Sequence, residues 1–153
     1  MQQALASSTP IGVIGAGAMG RGIAQVAALA GHPVILFDAN PTASEKAMTQ
    51  ILAALHMQVE KGTLPPEVPV TVAARLRPAT EWAQLSVAGL VIETNVEDLT
   101  VKQGVLRELE PLLGAEVILA THTSSLSVTA LGAALQHPER LVGMHFFSPA
   151  PVM

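Results

Sequence analysis

Six residues near the start of the chain have types and spacing suited to chemistry. Gly15-Ala16-Gly17-Ala18-Met19-Gly20 has the form G-x-G-x-x-G. It follows the apolar run Ile11–Ile14 and opens a helical pattern in which Met19, Ile23, Ala27 and Ala30 recur. Strand, glycine turn and helix in that order are the fingerprint of a dinucleotide site. The first glycine permits the tight turn, the second lets a pyrophosphate approach the backbone, and the third lets helix and sheet pack closely. Ala18 and Met19 belong to the first helical turn, whose unpaired N–H groups and positive dipole end suit phosphates. Asp38 ends the next apolar run, 18 residues past Gly20. A carboxylate there accepts hydrogen bonds from the adenosine ribose hydroxyls and repels a 2′-phosphate, and no Arg follows it in Ala39-Asn40-Pro41. The expected cofactor is NAD rather than NADP. The bland alternatives are a small-residue turn at the glycines and, for Asp38, a turn residue or helix cap.

These residues need elements to hold them. Four β-branched-rich runs, Ile11–Ile14, Val34–Phe37, Leu90–Ile92 and Val117–Ala120, are apolar throughout rather than alternating. That pattern fits strands buried on both faces of a parallel sheet. Leu141–Phe147 is a fifth candidate. Between them lie helical repeats. Val101, Val105, Leu109 and Leu112 recur after Asp98, a cap candidate, and before Gly114. Ala43 to Val59 reads as a long helix opened by Pro41 and broken by Lys61-Gly62-Thr63-Leu64-Pro65-Pro66, with a shorter helix from Glu67 to about Leu76. The expected fold is α/β: a doubly wound parallel sheet of about six strands, with a helical hairpin inserted near residues 41–75.

Composition excludes several function classes. Hydrophobic residues make up 50% of the 153 and charged residues 13%, the reverse of a disordered chain. Net charge is −4 with no basic block, so nucleic-acid binding has no electrostatic support. Cysteine is absent, which removes disulfides and thiolate chemistry. The greasiest stretch, Val26–Phe37, is interrupted by Gly31, His32 and Pro33, far short of the ~20 apolar residues that span a membrane. Met1 to Pro10 carries no positive side chain, unlike a signal peptide. A cytoplasmic location is the expectation. The mean hydropathy of +0.45 is high, as if some apolar surface meets another domain or subunit.

Polar segments also cluster where predicted strands end: Glu93–Asp98, Thr121–Leu126 and Gly143–Pro149. In open α/β sheets, strand ends are where ligands bind. Together with the Ile11–Gly20 motif, Val91-Ile-Glu93, Val96-Glu97-Asp98, Thr123-Ser-Ser-Leu126 and Gly143-Met-His-Phe-Phe147 resemble the 3-hydroxyacyl-CoA dehydrogenases, including the bacterial 3-hydroxybutyryl-CoA type, from about Ile11 to Met153. The resemblance implies interconversion of 3-hydroxyacyl-CoA and 3-ketoacyl-CoA with NAD. It places the catalytic histidine on His145 and the active-site serine on Ser124, 21 residues earlier. It puts cofactor contacts on Glu97 and Lys102 and a CoA-proximal lysine on Lys61. Histidine, with an unperturbed pKa of ~6.5, suits removal of a hydroxyl proton while hydride leaves carbon. A serine hydroxyl can orient the same oxygen. Without the resemblance, His145 reads as a satisfied strand-end histidine and Ser124 as a cap for a helix over Val128–Leu131.

The chain also departs from that pattern. His122 and Ser148 stand where the family usually has Asn, and Thr94 where it usually has Ala. Ser148, expected in the cofactor shell, has fewer donors than Asn. His122 is bulkier and can ionise. The family continues past this length into a glutamate that orients the histidine and a helical domain that closes the acyl site and forms the dimer. The expectation is that residues 1–153 form one NAD-binding domain that does not turn over alone. His32 and His137 sit in turns before proline, His56 lies on the long helix, and no histidine pair has metal-ligand spacing. Two other readings share part of the pattern. A β-hydroxyacid dehydrogenase or imine reductase has the same glycine opening, and a crystallin-like relative would bind NAD without turnover.

Overall fold

Buried apolar strands can satisfy their backbone only by pairing, and here they pair in one sheet. A computed structural model describes residues 5–153; the first four residues of the Met1–Pro10 segment lie outside it. The strands are β1 (Ile11–Ile14), β2 (Val34–Phe37), β3 (Leu76–Ala79), β4 (Leu90–Glu93), β5 (Ile118–Thr121) and β6 (Leu141–Gly143). All neighbours are parallel, in the order β3-β2-β1-β4-β5-β6. This is the doubly wound order of dinucleotide-binding folds, and it reverses between β1 and β4. The crossovers carry α1 (Ala18–Leu29), α2 (Pro41–Glu60), α3 (Val68–Arg75), α4 (Leu99–Leu109) and α5 (Val128–Gly132).

Alternation along the strands divides the core in two. Val13, Val34, Leu36 and Ile92 pack with Ile23 and Ala27 of α1, Ile51 and Leu55 of α2, and Val72 of α3. Ile14, Ile35, Val91 and Leu119 face the other way, onto Leu106 and Leu109 of α4, Leu131 of α5 and Leu85 of a short 3-10 turn. Both faces are covered, which is why the strands are apolar without a break. The helical hairpin appears as α2 and α3, packed on each other, with α2 also against β3. Pro41 occupies the first turn of α2, and the cap is Asn40, whose side chain accepts the Thr42 N–H.

Three local expectations need correction. Leu76 begins a strand rather than ending a helix, and β3 carries exposed Arg77 and Pro78 because it is an edge strand, so its apolar signal is weak. β6 stops at Gly143 instead of running to Phe147. The cap of α5 is Ser127, whose side chain accepts the Ala130 N–H, which leaves Ser124 without that structural duty. Asp98 caps α4 as expected, accepting the Val101 N–H at 2.9 Å.

Candidate active site

The carboxyl ends of β1, β2, β4, β5 and β6 bring the polar segments to one edge of the sheet. At the end of β1 the three glycines answer to three different constraints. Gly15 has φ +97°, a conformation L side chains rarely adopt. A Cβ on Gly20 would lie 1.7 Å from the Gly15 carbonyl oxygen, so helix and turn can close only without one. A Cβ on Gly17 would meet no protein atom within 4 Å, and its φ of −67° is open to any residue. The protein itself therefore gives no reason for glycine at 17. The open space is what a bound pyrophosphate requires, and the residues fit NAD on this count. Ala18 begins α1, and half-buried Met19 packs on the core beneath it.

Asp38 lies against this turn. Its carboxylate accepts the Ala16 N–H at 2.8 Å and the Asn40 N–H at 2.8 Å, fixing the glycine loop to the end of β2. A carboxylate has about four lone-pair sites, so acceptor capacity for a ribose remains. Thr94, at the end of β4, donates its hydroxyl to the Ile14 carbonyl at 2.7 Å, tying β4 to the turn from the other side.

Beyond β4 sits a network that the sequence expectations missed. Glu93 and Lys102 are both fully buried and paired at 3.0 Å. Glu93 also accepts from Thr121 Oγ1 at 2.8 Å and from the Asn95 N–H. Lys102 Nζ reaches the Asn95 carbonyl at 3.1 Å and the His122 carbonyl at 2.8 Å. An ammonium has three donors, and these acceptors occupy them. The resemblance implies a cofactor contact for Lys102; in the structure its charge is turned inward, binding the ends of β4 and β5. The signal was a glutamate closing an otherwise apolar strand, since a buried charge must find a partner.

Glu97 is exposed at the mouth of the site and holds the turn that carries Ser124. Thr123 Oγ1 donates to Glu97 Oε1. Thr123 Oγ1 in turn accepts the Leu126 N–H at 3.0 Å. The Thr123 hydrogen bond holds the Glu97 carboxyl below the ordinary range, helped by the Lys102 charge and the Ser125 and Leu126 N–H groups and opposed by partial desolvation. Ser124 itself is exposed. His145, also exposed, follows β6, with its ring centroid 4.9 Å from Phe147 and 5.6 Å from His122. Among the described residues no carboxylate lies within ion-pair distance of His145.

Other residues stand apart. Ser148 is exposed beyond β6, and Lys61 is exposed at the C-terminal cap of α2. His32 is half-buried, its Nδ1 3.0 Å from the Thr9 carbonyl. His137 is exposed beside Glu139. Among the described residues no three His, Asp or Glu side chains gather as metal ligands, and no helix is long and apolar enough to cross a membrane.

The chain is similar to known proteins in sequence and fold. Residues 10–153 match the family described as 3-hydroxyacyl-CoA dehydrogenase, NAD binding domain. A 3-hydroxyadipyl-CoA dehydrogenase of Escherichia coli is 43% identical over 94% of this chain and 30% of its own length. A 3-hydroxybutyryl-CoA dehydrogenase of Bradyrhizobium diazoefficiens is 43% identical over 94% of this chain and 49% of its own length. The crystal structure of 3-hydroxybutyryl-CoA dehydrogenase from Escherichia coli superposes with a TM-score of 0.92 at 42% identity, covering 95% of this chain and 31% of that one. The chain spans under half the length of these two curated relatives. With the open space at Gly17, the acid at the end of β2 and a match over nearly all its residues, the chain belongs to the family of 3-hydroxyacyl-CoA dehydrogenase NAD binding domains.

Proposed function

We propose that this chain is the cofactor-binding part of an NAD-dependent 3-hydroxyacyl-CoA dehydrogenase, in which His145 is the base and Ser124 the partner of the substrate oxygen. The observation that carries the reading is the convergence of the Gly17 opening, the Ser124 turn and His145 on one end of one sheet. NAD, when bound, supplies the hydride acceptor. The N-terminal N–H groups of α1 hold its pyrophosphate, and Asp38 takes its ribose hydroxyls. Ser124, projecting from a turn fixed by Glu97 and Thr123, donates to the substrate oxygen and orients it. His145 removes the hydroxyl proton as the carbon–hydrogen bond breaks. Glu97 and Ser148 border the cofactor shell, and Lys61 on the hairpin attracts the CoA phosphates.

The same reading holds that the relatives' remaining length supplies a carboxylate to orient His145, closes the acyl site and forms a homodimer, and that the enzyme works in the cytoplasm. Residues 1–153 alone then bind NAD without turnover. The test is a pair of measurements. Calorimetric titration of the chain with NAD reads binding. NADH formation from 3-hydroxybutyryl-CoA is then followed for the chain alone and for a chimera with the part of the Bradyrhizobium enzyme that it does not cover. NAD binding by both, with turnover only by the chimera and lost in His145→Ala, supports the proposal. A folded chain that does not bind NAD overturns it.

A further inference from the structure

The ladder between β5 and β6 ends just before the proposed base. The last strand pairing is Thr121 with Gly143, and the Met144 N–H still donates to the Thr121 carbonyl at 3.0 Å. Past that point the chain leaves the sheet, and a side chain takes over. His122 Nε2 lies 3.1 Å from the carbonyl oxygen of Phe146. His145 therefore sits between two ties, the last sheet hydrogen bond on one side and the His122 imidazole on the other. His122 is itself well anchored. Its N–H donates to the Glu93 carbonyl at 2.8 Å, and its carbonyl accepts from buried Lys102 at 2.8 Å. Its ring stands edge-on to the His145 ring, 5.6 Å between centroids at 61°. The other ring against His145 is Phe147, which is 63% exposed and so holds its own place weakly.

We propose that His122 is a positioning residue for His145: it pins the peptide after the base and braces one side of the base's ring. A carbonyl can only accept, so Nε2 carries the proton and Nδ1 is the unprotonated nitrogen in the neutral ring. The rigid line from the Glu93–Lys102 pair through the His122 backbone to Phe146 then sets where His145 stands relative to the Ser124 turn. The catalytic meaning of this brace rests on the function proposed above, but its geometry does not.

Nuclear magnetic resonance on the chain tests it without turnover. Long-range proton–nitrogen spectra of histidine-labelled protein should show His122 as the Nε2–H tautomer, with a nuclear Overhauser contact between the His122 and His145 rings. His122→Leu should shift the Phe147 amide, whose nitrogen reports on hydrogen bonding at the Phe146 carbonyl, and should change the His145 ring signals. His122→Gln places an N–H at about the same reach and should restore the Phe147 amide while the ring contact is lost. In the chimera, His122→Leu should lower kcat about 10- to 100-fold, the scale of a small misplacement of a reacting group, and leave KM for NAD largely unchanged. An Nδ1–H tautomer, or a folded Leu variant with unchanged Phe147 and His145 signals, overturns the proposal. Failure of NAD binding with these contacts intact would instead sink the functional reading and leave the brace standing.

Discussion

Substituting Gly17 by valine separates a glycine kept for a ligand from one kept for the fold. At Gly17 the backbone has φ −67° and ψ −174°, which valine tolerates, and an added Cβ meets nothing within 4 Å. The residue is the N-cap of α1 and makes no side-chain cap hydrogen bond, so exchanging it costs at most about 1 kcal/mol. For a domain of this size that is a fall of roughly 2–4 °C in Tm. The side chain would stand where a pyrophosphate has to approach the N–H groups of α1. Losing two charge-assisted hydrogen bonds at about 1.5–3 kcal/mol each removes about 3–6 kcal/mol of binding. The weaker end of that range is already a hundredfold or more in Kd, at about 1.4 kcal/mol per decade. Gly20→Ala is the contrasting variant, because its Cβ falls 1.7 Å from the Gly15 carbonyl oxygen and 2.7 Å from Thr94 Oγ1. It should unfold or shift the turn itself. Thermal melts and NAD calorimetry on both variants make the comparison. A Gly17→Val protein that melts normally and binds NAD as the parent does would refute the assignment of this opening to the pyrophosphate.

Four further outcomes are expected. Lys102→Met strands the Glu93 carboxylate in the interior and should cost about 3–5 kcal/mol in urea unfolding; a loss under 1 kcal/mol, within the range of about 0–1 kcal/mol of an exposed ion pair, would mean that water reaches the pair. Asp38→Ala should narrow the preference for NAD over NADP in parallel titrations, since it removes both the ribose acceptor and the repulsion of a 2′-phosphate; an unchanged ratio counts against that role. Gly104→Ala should raise stability by about 0.5–1 kcal/mol, because a Cβ at this position inside α4 meets nothing within 4 Å and alanine lowers the entropy of the unfolded chain. Glu97 has a folded pKa below its ordinary 4.5, so its stabilisation is complete above that value and is lost as pH falls through the lowered one. Glu97→Gln should therefore flatten the acid limb of stability below about pH 4.5, and an identical acid limb would show that the carboxylate does not hold the Thr123–Leu126 turn.

Much of the frame was legible because the physics that forms it is local or periodic. Ile11–Ile14 and Val34–Phe37 are continuous β-branched or large apolar runs, and a strand covered on both faces has no polar side to interrupt it. Asp98 announces the start of α4 by its type and place. β3 was not legible, since an edge strand reading Leu-Arg-Pro-Ala buries only its end residues, and the helical repeat before it runs straight into Leu76. The truncation of β6 was hidden for the opposite reason: the aromatic tail His145-Phe146-Phe147 carries β propensity, but the strand already ends at Gly143.

Within the site, residues whose type and spacing carry a signal were legible, and residues that act through others were not. Gly15, Gly17, Gly20 and Asp38 announce themselves by spacing. The resemblance singles out Lys102, yet its charge faces inward, onto a Glu93 nine residues earlier whose pairing only the three-dimensional fold shows. That pair does more than neutralise itself. Glu93 takes the Thr121 hydroxyl at the end of β5, and Lys102 holds the carbonyls of Asn95 and His122, one after each strand. Two adjacent parallel strands are thereby locked at the end where chemistry is proposed, and the polar segments that leave them inherit a fixed starting point. A buried ion pair is poor evidence of stability, since well-packed apolar residues often do as well. What apolar residues could not do is offer a directed donor to each of the two backbone carbonyls that follow these strands. The pair is best understood as the rigid base from which the turn of Ser124 and, through His122, the segment of His145 are set.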